Sequence, residues 1–155
     1  MLNFDVAGKR ILEVGCGTAL TSLLLNKQLQ DITATDYHPD AEGMLQRNAA
    51  LNGDREIPFE RIGWADDGSK LGLFDLIVGS DILYEQDNVQ LLAEFIEAHA
   101  QPACEVVIVD PSRGQAGRFS RQMETYGFGC SERPLTPDEQ IGEPFTGRIL
   151  QYQRA

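Results

Sequence analysis

Three short stretches hold residues whose types and spacing could do chemistry. The first is Glu13-Val-Gly-Cys-Gly-Thr18, in which Gly15 and Gly17 flank Cys16 directly after an apolar run. Glycine lacks a Cβ, so a backbone there can turn tightly and approach a ligand closely. The N-terminus of a following helix offers free N–H groups to a carboxylate. The second is Asp36, which closes Ile32-Thr-Ala-Thr-Asp36 about twenty residues further on, the spacing at which an acid accepts two hydrogen bonds from a ribose diol. The third is Ser80-Asp-Ile-Leu-Tyr-Glu85, which sets Asp81 and Tyr84 close together in the chain. A glycine turn followed by a spaced acid indicates an adenosine-bearing ligand.

That ligand is not a dinucleotide. The dinucleotide fingerprint needs glycine or alanine at its sixth position, where helix and strand pack closely. In Gly15-Cys-Gly-Thr-Ala-Leu20 the sixth residue is Leu20, too bulky for that role. A single amino-acid tail does not need the room a pyrophosphate needs. Glu13, just before the first glycine, suits a ligand that carries an ammonium.

Elements must position these residues, and the sequence supplies them in alternation. Residues 10–14 are a short apolar run, and residues 18–30 place Leu20, Leu23, Leu24 and Leu29 at helical spacing. Ile32–Asp36 is a β-branched strand. Residues 39–52 open with Pro39, a first-turn residue, and set Met44, Leu45, Asn48 and Leu51 on one helical face. A weaker strand covers 57–63. Phe74–Gly79 is a strand of the buried type. Residues 86–100 set Val89, Leu92, Ile96 and His99 on one face, with Pro102 after the stop. His99 reads there as a packed histidine. Val106–Val109 is a fifth strand, and residues 114–126 form a helix closed by Gly127. Residues 128–133 and 148–153 have no helix between them and should pair antiparallel. The pattern is α/β: a mostly parallel sheet with helices on both faces, its active edge at the carboxyl ends of strands one, two and four.

Glu13-Val-Gly-Cys-Gly-Thr-Ala19 resembles motif I of the class I S-adenosylmethionine-dependent methyltransferases, with Ala19 where many have a third glycine. Asp36 matches the acid that holds the adenosine ribose in that class. Ser80-Asp-Ile-Leu-Tyr-Glu85 resembles the Asp-x-x-Tyr motif of the seven-strand protein-lysine methyltransferases, also called methyltransferase family 16. Asp110-Pro-Ser-Arg113 is similar to the Asp-Pro-Gly-Arg stretch of the electron-transfer-flavoprotein β lysine methyltransferases, with Ser112 in place of glycine. The resemblance implies a Rossmann-like αβα sandwich of seven strands in the order 3-2-1-4-5-7-6, strand seven antiparallel. It implies S-adenosylmethionine as cofactor and S-adenosylhomocysteine as product. Glu13, Gly15, Cys16, Gly17, Asp36, Tyr37 and Ser80 then belong to the cofactor site. Trp64 and Asp66 follow strand three, where the adenine pocket of this class lies. Trp64 would stack on the purine or simply pack, and Asp66 or Asp67 would accept the adenine amino group or remain solvated.

Asp81 and Tyr84 suit a nitrogen acceptor. A carboxylate holds an incoming ammonium by a charge-assisted hydrogen bond, and an aromatic ring stabilises the cation that develops as nitrogen gains a methyl group. The alternative is that Asp81 caps the next helix and Tyr84 packs beneath it.

Composition bounds the partners. The chain has 155 residues, a hydrophobic share of 42% and a formal net charge of −11. Nucleic-acid binders carry basic surfaces, so this balance argues against DNA or RNA; it suits a basic partner, a lysine-bearing protein or a cationic small molecule, or else serves solubility alone. Arg113, Arg118 and Arg121 form a basic cluster that reads as a solvated helix face. Cys16, Cys104 and Cys130 are too few and too scattered for a disulfide framework or zinc site, which favours a reducing cytoplasm. No apolar run approaches the ~20 residues that span a bilayer. The chain is expected to be one domain over residues 1–155, with the segment before strand one too short to cover the cofactor.

Overall fold

Apolar runs and amphipathic segments alternate into strands and helices in the computed structural model, which describes residues 4–68, 70–111, 114–134 and 147–155. In chain order these are β1 (Arg10–Glu13), α1 (Leu20–Lys27), β2 (Asp31–Asp36), α2 (Ala41–Leu51), β3 (Phe59–Arg61) and β4 (Phe74–Ser80). They are followed by α3 (Gln86–His99), β5 (Ala100–Asp110), α4 (Ala116–Thr125), β6 (Gly129–Pro134) and β7 (Arg148–Arg154). The sheet has seven strands in the order β3-β2-β1-β4-β5-β7-β6. β1 pairs parallel with β2 and β4, while β7 runs antiparallel to both β5 and β6. The expected architecture is therefore borne out, including the terminal hairpin. Ser112 and Arg113 lie outside the described residues. No described helix is long and apolar enough to cross a membrane.

Strand alternation sends successive side chains to opposite faces, and each face builds its own core. Leu12, Ile77, Val106 and Ile108 pack with Val89, Leu92 and Ile96 of α3 and Phe119 and Met123 of α4. Ile11, Ile32, Leu76 and Val107 pack with Leu25 of α1 and Leu45 of α2. The expected α3 face of Val89, Leu92, Ile96 and His99 is buried.

The faces expected for the first two helices need correction. Of the expected face only Leu23 packs on the core, half-buried; Leu20, Leu24 and Leu29 are exposed, and α1 buries Ser22, Leu25 and Asn26. The two polar residues are tolerated inside because their groups are satisfied: Ser22 bonds Glu13, and Asn26 Nδ2 donates to the carbonyl of Arg55 at 2.7 Å. The helix also ends earlier than expected, with Leu29 left-handed at φ 59°. In α2 the buried residues are Ala41, Leu45 and Ala49, while Met44 and Leu51 are exposed. Pro39 precedes the N-cap, Asp40, so it stands outside the helix. β5 begins much earlier than Val106. Its pairing with β4 jumps from Phe74–Ala100 to Leu76–Glu105, and Pro102 sits in that irregularity, where a missing N–H costs the ladder nothing.

Candidate active site

The turn after β1 is built by backbone conformation. Gly15 and Gly17 are left-handed at φ 59° and 52°, and Ala19 joins them at 57°. Alanine is the smallest residue that accepts this strain, and here it is fully buried as the N-cap of α1. A Cβ on Gly15 would meet Ile82 Cγ2 at 3.0 Å and Trp64 Cζ2 at 3.6 Å, so glycine lets these two side chains close over the turn. Beneath it, Val14 N donates to the carbonyl of Val78 at 2.9 Å and Cys16 N to that of Thr35 at 2.9 Å. The carboxyl ends of β1, β2 and β4 are thereby tied together.

Asp36 ends β2 and is nearly buried. Its Oδ2 accepts from Gly17 N at 2.8 Å, and its Oδ1 from His38 N at 2.9 Å. Each oxygen keeps a lone pair for a further donor, which is the requirement for holding a vicinal diol. Tyr37 next to it is exposed, and its carbonyl accepts from Arg61 Nε at 2.9 Å. Past β3, Ile62 N donates to the carbonyl of Asp36 at 3.0 Å. Asp66 then closes a tight turn: its N donates to the Gly63 carbonyl at 3.0 Å, and its Oδ2 accepts from Gly63 N at 2.7 Å. Trp64, on that turn, packs against the α3-side core.

The end of β4 is the third component. Asp81 is left-handed at φ 53°, and its N donates to the carbonyl of Val109 at 2.9 Å. Ile82 and Leu83 turn inward, Tyr84 stays half-exposed, and Glu85 is the N-cap of α3. Asp81 therefore lies several residues before the capping position, which removes the helix-cap alternative. Partial burial raises the Tyr84 phenol above its ordinary pKa, with Tyr37, Glu85, Asp36 and Asp81 adding to the effect. The ring stays neutral, with acidic groups around it.

These components meet in one cleft of about 500 Å³. Gly15, Asp36, Tyr37, Trp64, Asp66, Asp81 and Tyr84 all line it. Glu13, Cys16, Gly17 and Ser80 flank it without lining it. Glu13 is buried under α1, where its Oε2 accepts from Ser22 N at 3.0 Å and from the Ser22 hydroxyl. Burial pushes its carboxyl up to about 7, against the lowering effect of both Ser22 bonds. Burial likewise pushes the Cys16 thiol up to about 12, so it is no nucleophile. Ser80 lines a separate apolar groove with Leu20, Leu24 and Val107. Asp67 is not on the cleft wall. The sequence reading missed Glu85, Asn88 and Leu91, which line the outer wall from the start of α3. Their spacing of three along a helix that begins right after Tyr84 was the available signal. Asn88 Nδ2 donates to Glu85 Oε2 at 2.9 Å.

A family model described as lysine methyltransferase matches residues 3–125. The chain belongs to the lysine methyltransferase family. Its similarity to EEF1A lysine methyltransferase 3 of Xenopus tropicalis is 27% identity, over 96% of this chain and 67% of that protein. With the electron transfer flavoprotein beta subunit lysine methyltransferase of Rattus norvegicus it shares 30% identity, over 78% of this chain and 48% of that one. The chain thus spans about two thirds and about half the length of these two family members. Among solved structures, magnesium protoporphyrin IX methyltransferase from Synechocystis PCC 6803 with bound S-adenosylmethionine superposes with a TM-score of 0.75. That match has 18% identity and covers 97% of this chain and 72% of the other, so it bears on the fold. The resemblance read from Glu13–Ala19 and Asp81–Tyr84 is borne out at the level of the family. Family membership brings S-adenosylmethionine as the cofactor, and the residues fit it: a carboxylate with a spare lone pair on each oxygen at Asp36, a close-approach turn at Gly15, and an aromatic ring on the wall at Trp64.

Proposed function

We propose that the whole protein transfers a methyl group from S-adenosylmethionine to a lysine of a basic protein partner, in the cytoplasm. The observation that carries this reading is the shared cleft. The adenosine-type residues Gly15, Asp36 and Trp64 and the acceptor-type residues Asp81 and Tyr84 line one cavity. The cofactor, when bound, supplies a methyl group on a sulfonium that is already reactive toward a nitrogen lone pair. What remains for the chain is alignment, proton handling and exclusion of water.

In this reading Asp36 holds the ribose, Tyr37 and Trp64 flank the purine, and Asp66 receives the adenine amino group. Glu13, Cys16, Gly17 and Ser80 serve the cofactor side by their places on the β1 turn and the β4 end. Asp81 holds the incoming ammonium, and the neutral ring of Tyr84 stabilises the cation that forms. The net charge of −11 favours a basic partner over nucleic acid. The free state of Cys16, Cys104 and Cys130 supports a reducing compartment.

Incubating the protein with radiolabelled S-adenosylmethionine and cell lysate, then separating protein, RNA and small molecules, tests the proposal. Label on lysine in the protein fraction is the expected result. Label confined to RNA or to small amines would replace the acceptor class. Cofactor binding with no transfer to any fraction would leave a cofactor-binding module that acts by protein contact.

A further inference from the structure

The loop between β3 and β4 carries Trp64 and Asp66, one whole wall of the cleft, yet has no helix among its described residues. A wall without secondary structure needs anchors from elsewhere, because its backbone groups have no ladder to join. The anchor lies at the far end of α3. His99 is buried, and its Nδ1 lies 3.0 Å from the carbonyl oxygen of Gly72. A carbonyl can only accept, so Nδ1 carries the proton and donates it. The imidazole is braced on its other side by Phe95, with ring centroids 4.5 Å apart.

The same ring sets where the loop passes. A Cβ on Gly68 would lie 2.4 Å from His99 Nε2 and 2.7 Å from Cε1. Gly68 thus lets the backbone rest on the imidazole, two residues beyond Asp66. Arg10 completes the hold: its guanidinium donates to the carbonyls of Leu71 at 2.9 Å and Leu73 at 3.0 Å. Three successive carbonyls, those of Leu71, Gly72 and Leu73, are each taken by a side chain of β1 or α3.

We infer that His99 is a positioning residue for the cofactor wall: through Gly68 and Gly72 it sets the seat of the loop that presents Trp64 and Asp66. The inference rests on the reading of that wall as the adenine side of the cleft. It also makes α3 a common support, with its first turns lining the acceptor side and its last residue holding the cofactor side.

The chain has one tryptophan, Trp64, so its fluorescence reports this wall directly. The experiment measures S-adenosylhomocysteine affinity by calorimetry and acrylamide quenching of Trp64 on the full chain. His99→Phe keeps a ring against Phe95 and removes the donor. It should bind about tenfold more weakly, the scale of a buried carbonyl left unsatisfied. Its Trp64 should also be more accessible to quencher. His99→Asn returns a donor near the Nδ1 position and should recover part of both losses. Gly68→Ala leaves His99 intact but displaces the loop, and should reproduce the His99→Phe result. It also decides the matter if His99→Phe fails to fold. Parent affinity and parent quenching in both His99→Phe and Gly68→Ala would overturn the inference while sparing the cleft assignment. A parent protein whose Trp64 emission ignores saturating S-adenosylhomocysteine would overturn the cleft assignment itself, and the inference with it.

Discussion

Asp36 carries the heaviest demand of any residue at the cleft, because both its oxygens already accept backbone N–H groups from Gly17 and His38. Those bonds aim the carboxylate and leave lone pairs for the ribose that the proposed function places there. Asp36→Ala should weaken S-adenosylhomocysteine binding by about 1.5–3 kcal/mol, the worth of hydrogen bonds to a charged group. Calorimetry on the folded variant checks this, and unchanged affinity would remove Asp36 from the site. Asp81 differs in kind. It holds a left-handed backbone that aspartate and asparagine tolerate better than most residues do. Asp81→Asn should therefore fold well yet recover little activity, since it lacks the charge proposed to hold the ammonium. Asp81→Ala should lower turnover about a hundredfold or more, the scale for a positioned proton-handling group. Tyr84→Phe should lose less than Tyr84→Ala if the ring face matters more than the hydroxyl. In all four variants cofactor affinity should move far less than rate. Parent-like turnover in Asp81→Ala would end the acceptor role.

At the scale of elements, the junction of β1 and α1 depends on Glu13 and Ser22. Glu13 is an acid buried beneath a helix start, and desolvation raises its carboxyl from 4.5 to about 7. The sign follows from proton counting. Between these two values the unfolded chain has released the proton and the folded chain still holds it, so stability falls as pH rises through this window. The loss from this one group is on the order of 3 kcal/mol when complete. Glu13→Gln should flatten that part of the profile, leaving a smaller drop between urea midpoints measured below and above the window. An unchanged slope in Glu13→Gln would assign the pH dependence to other groups. The same junction explains why the leucine face expected for α1 was wrong. Leu20 and Leu24 are ordinary helix formers, but the side of the helix facing β1 is chosen by what Glu13 can bond. That side presents Ser22.

The whole molecule carries acid on every scale, from a net charge of −11 to a cleft lined by Asp36, Asp66, Asp81 and Glu85. Such a field draws in a cationic partner and is screened by salt. Once a methylated protein is identified, its association rate should fall as ionic strength rises, while dissociation changes little. A rate constant flat from low to high salt would count against electrostatic recruitment and leave the fold assignment intact. The two cores, one on each face of the sheet, support the cleft edge, and Ile62, Ile82 and Trp64 on the α3 side also line it.

Local patterns in the chain determined the order of elements, the glycine turn, the acid at the end of β2 and the Asp-x-x-Tyr stretch. Each depends on neighbours a few residues apart, through period, backbone freedom or strand-end position. The antiparallel hairpin was legible for the same reason, since two strand patterns with no helical pattern between them in the sequence have little choice. Tertiary structure alone decided the rest. It chose the buried sides of α1 and α2: bonded partners for Ser22 and Asn26 outweigh the apolar count in α1, and small Ala41 and Ala49 share the buried face with Leu45 in α2. It brought Glu85, Asn88 and Leu91 to the cleft, and it set His99 beneath a loop that lies some thirty residues earlier, a separation at which no local pattern operates. It also kept Glu13 beneath the turn rather than on the cleft wall. A buried carboxylate goes where its donors are, and those donors came from a helix whose facing side no local pattern had revealed.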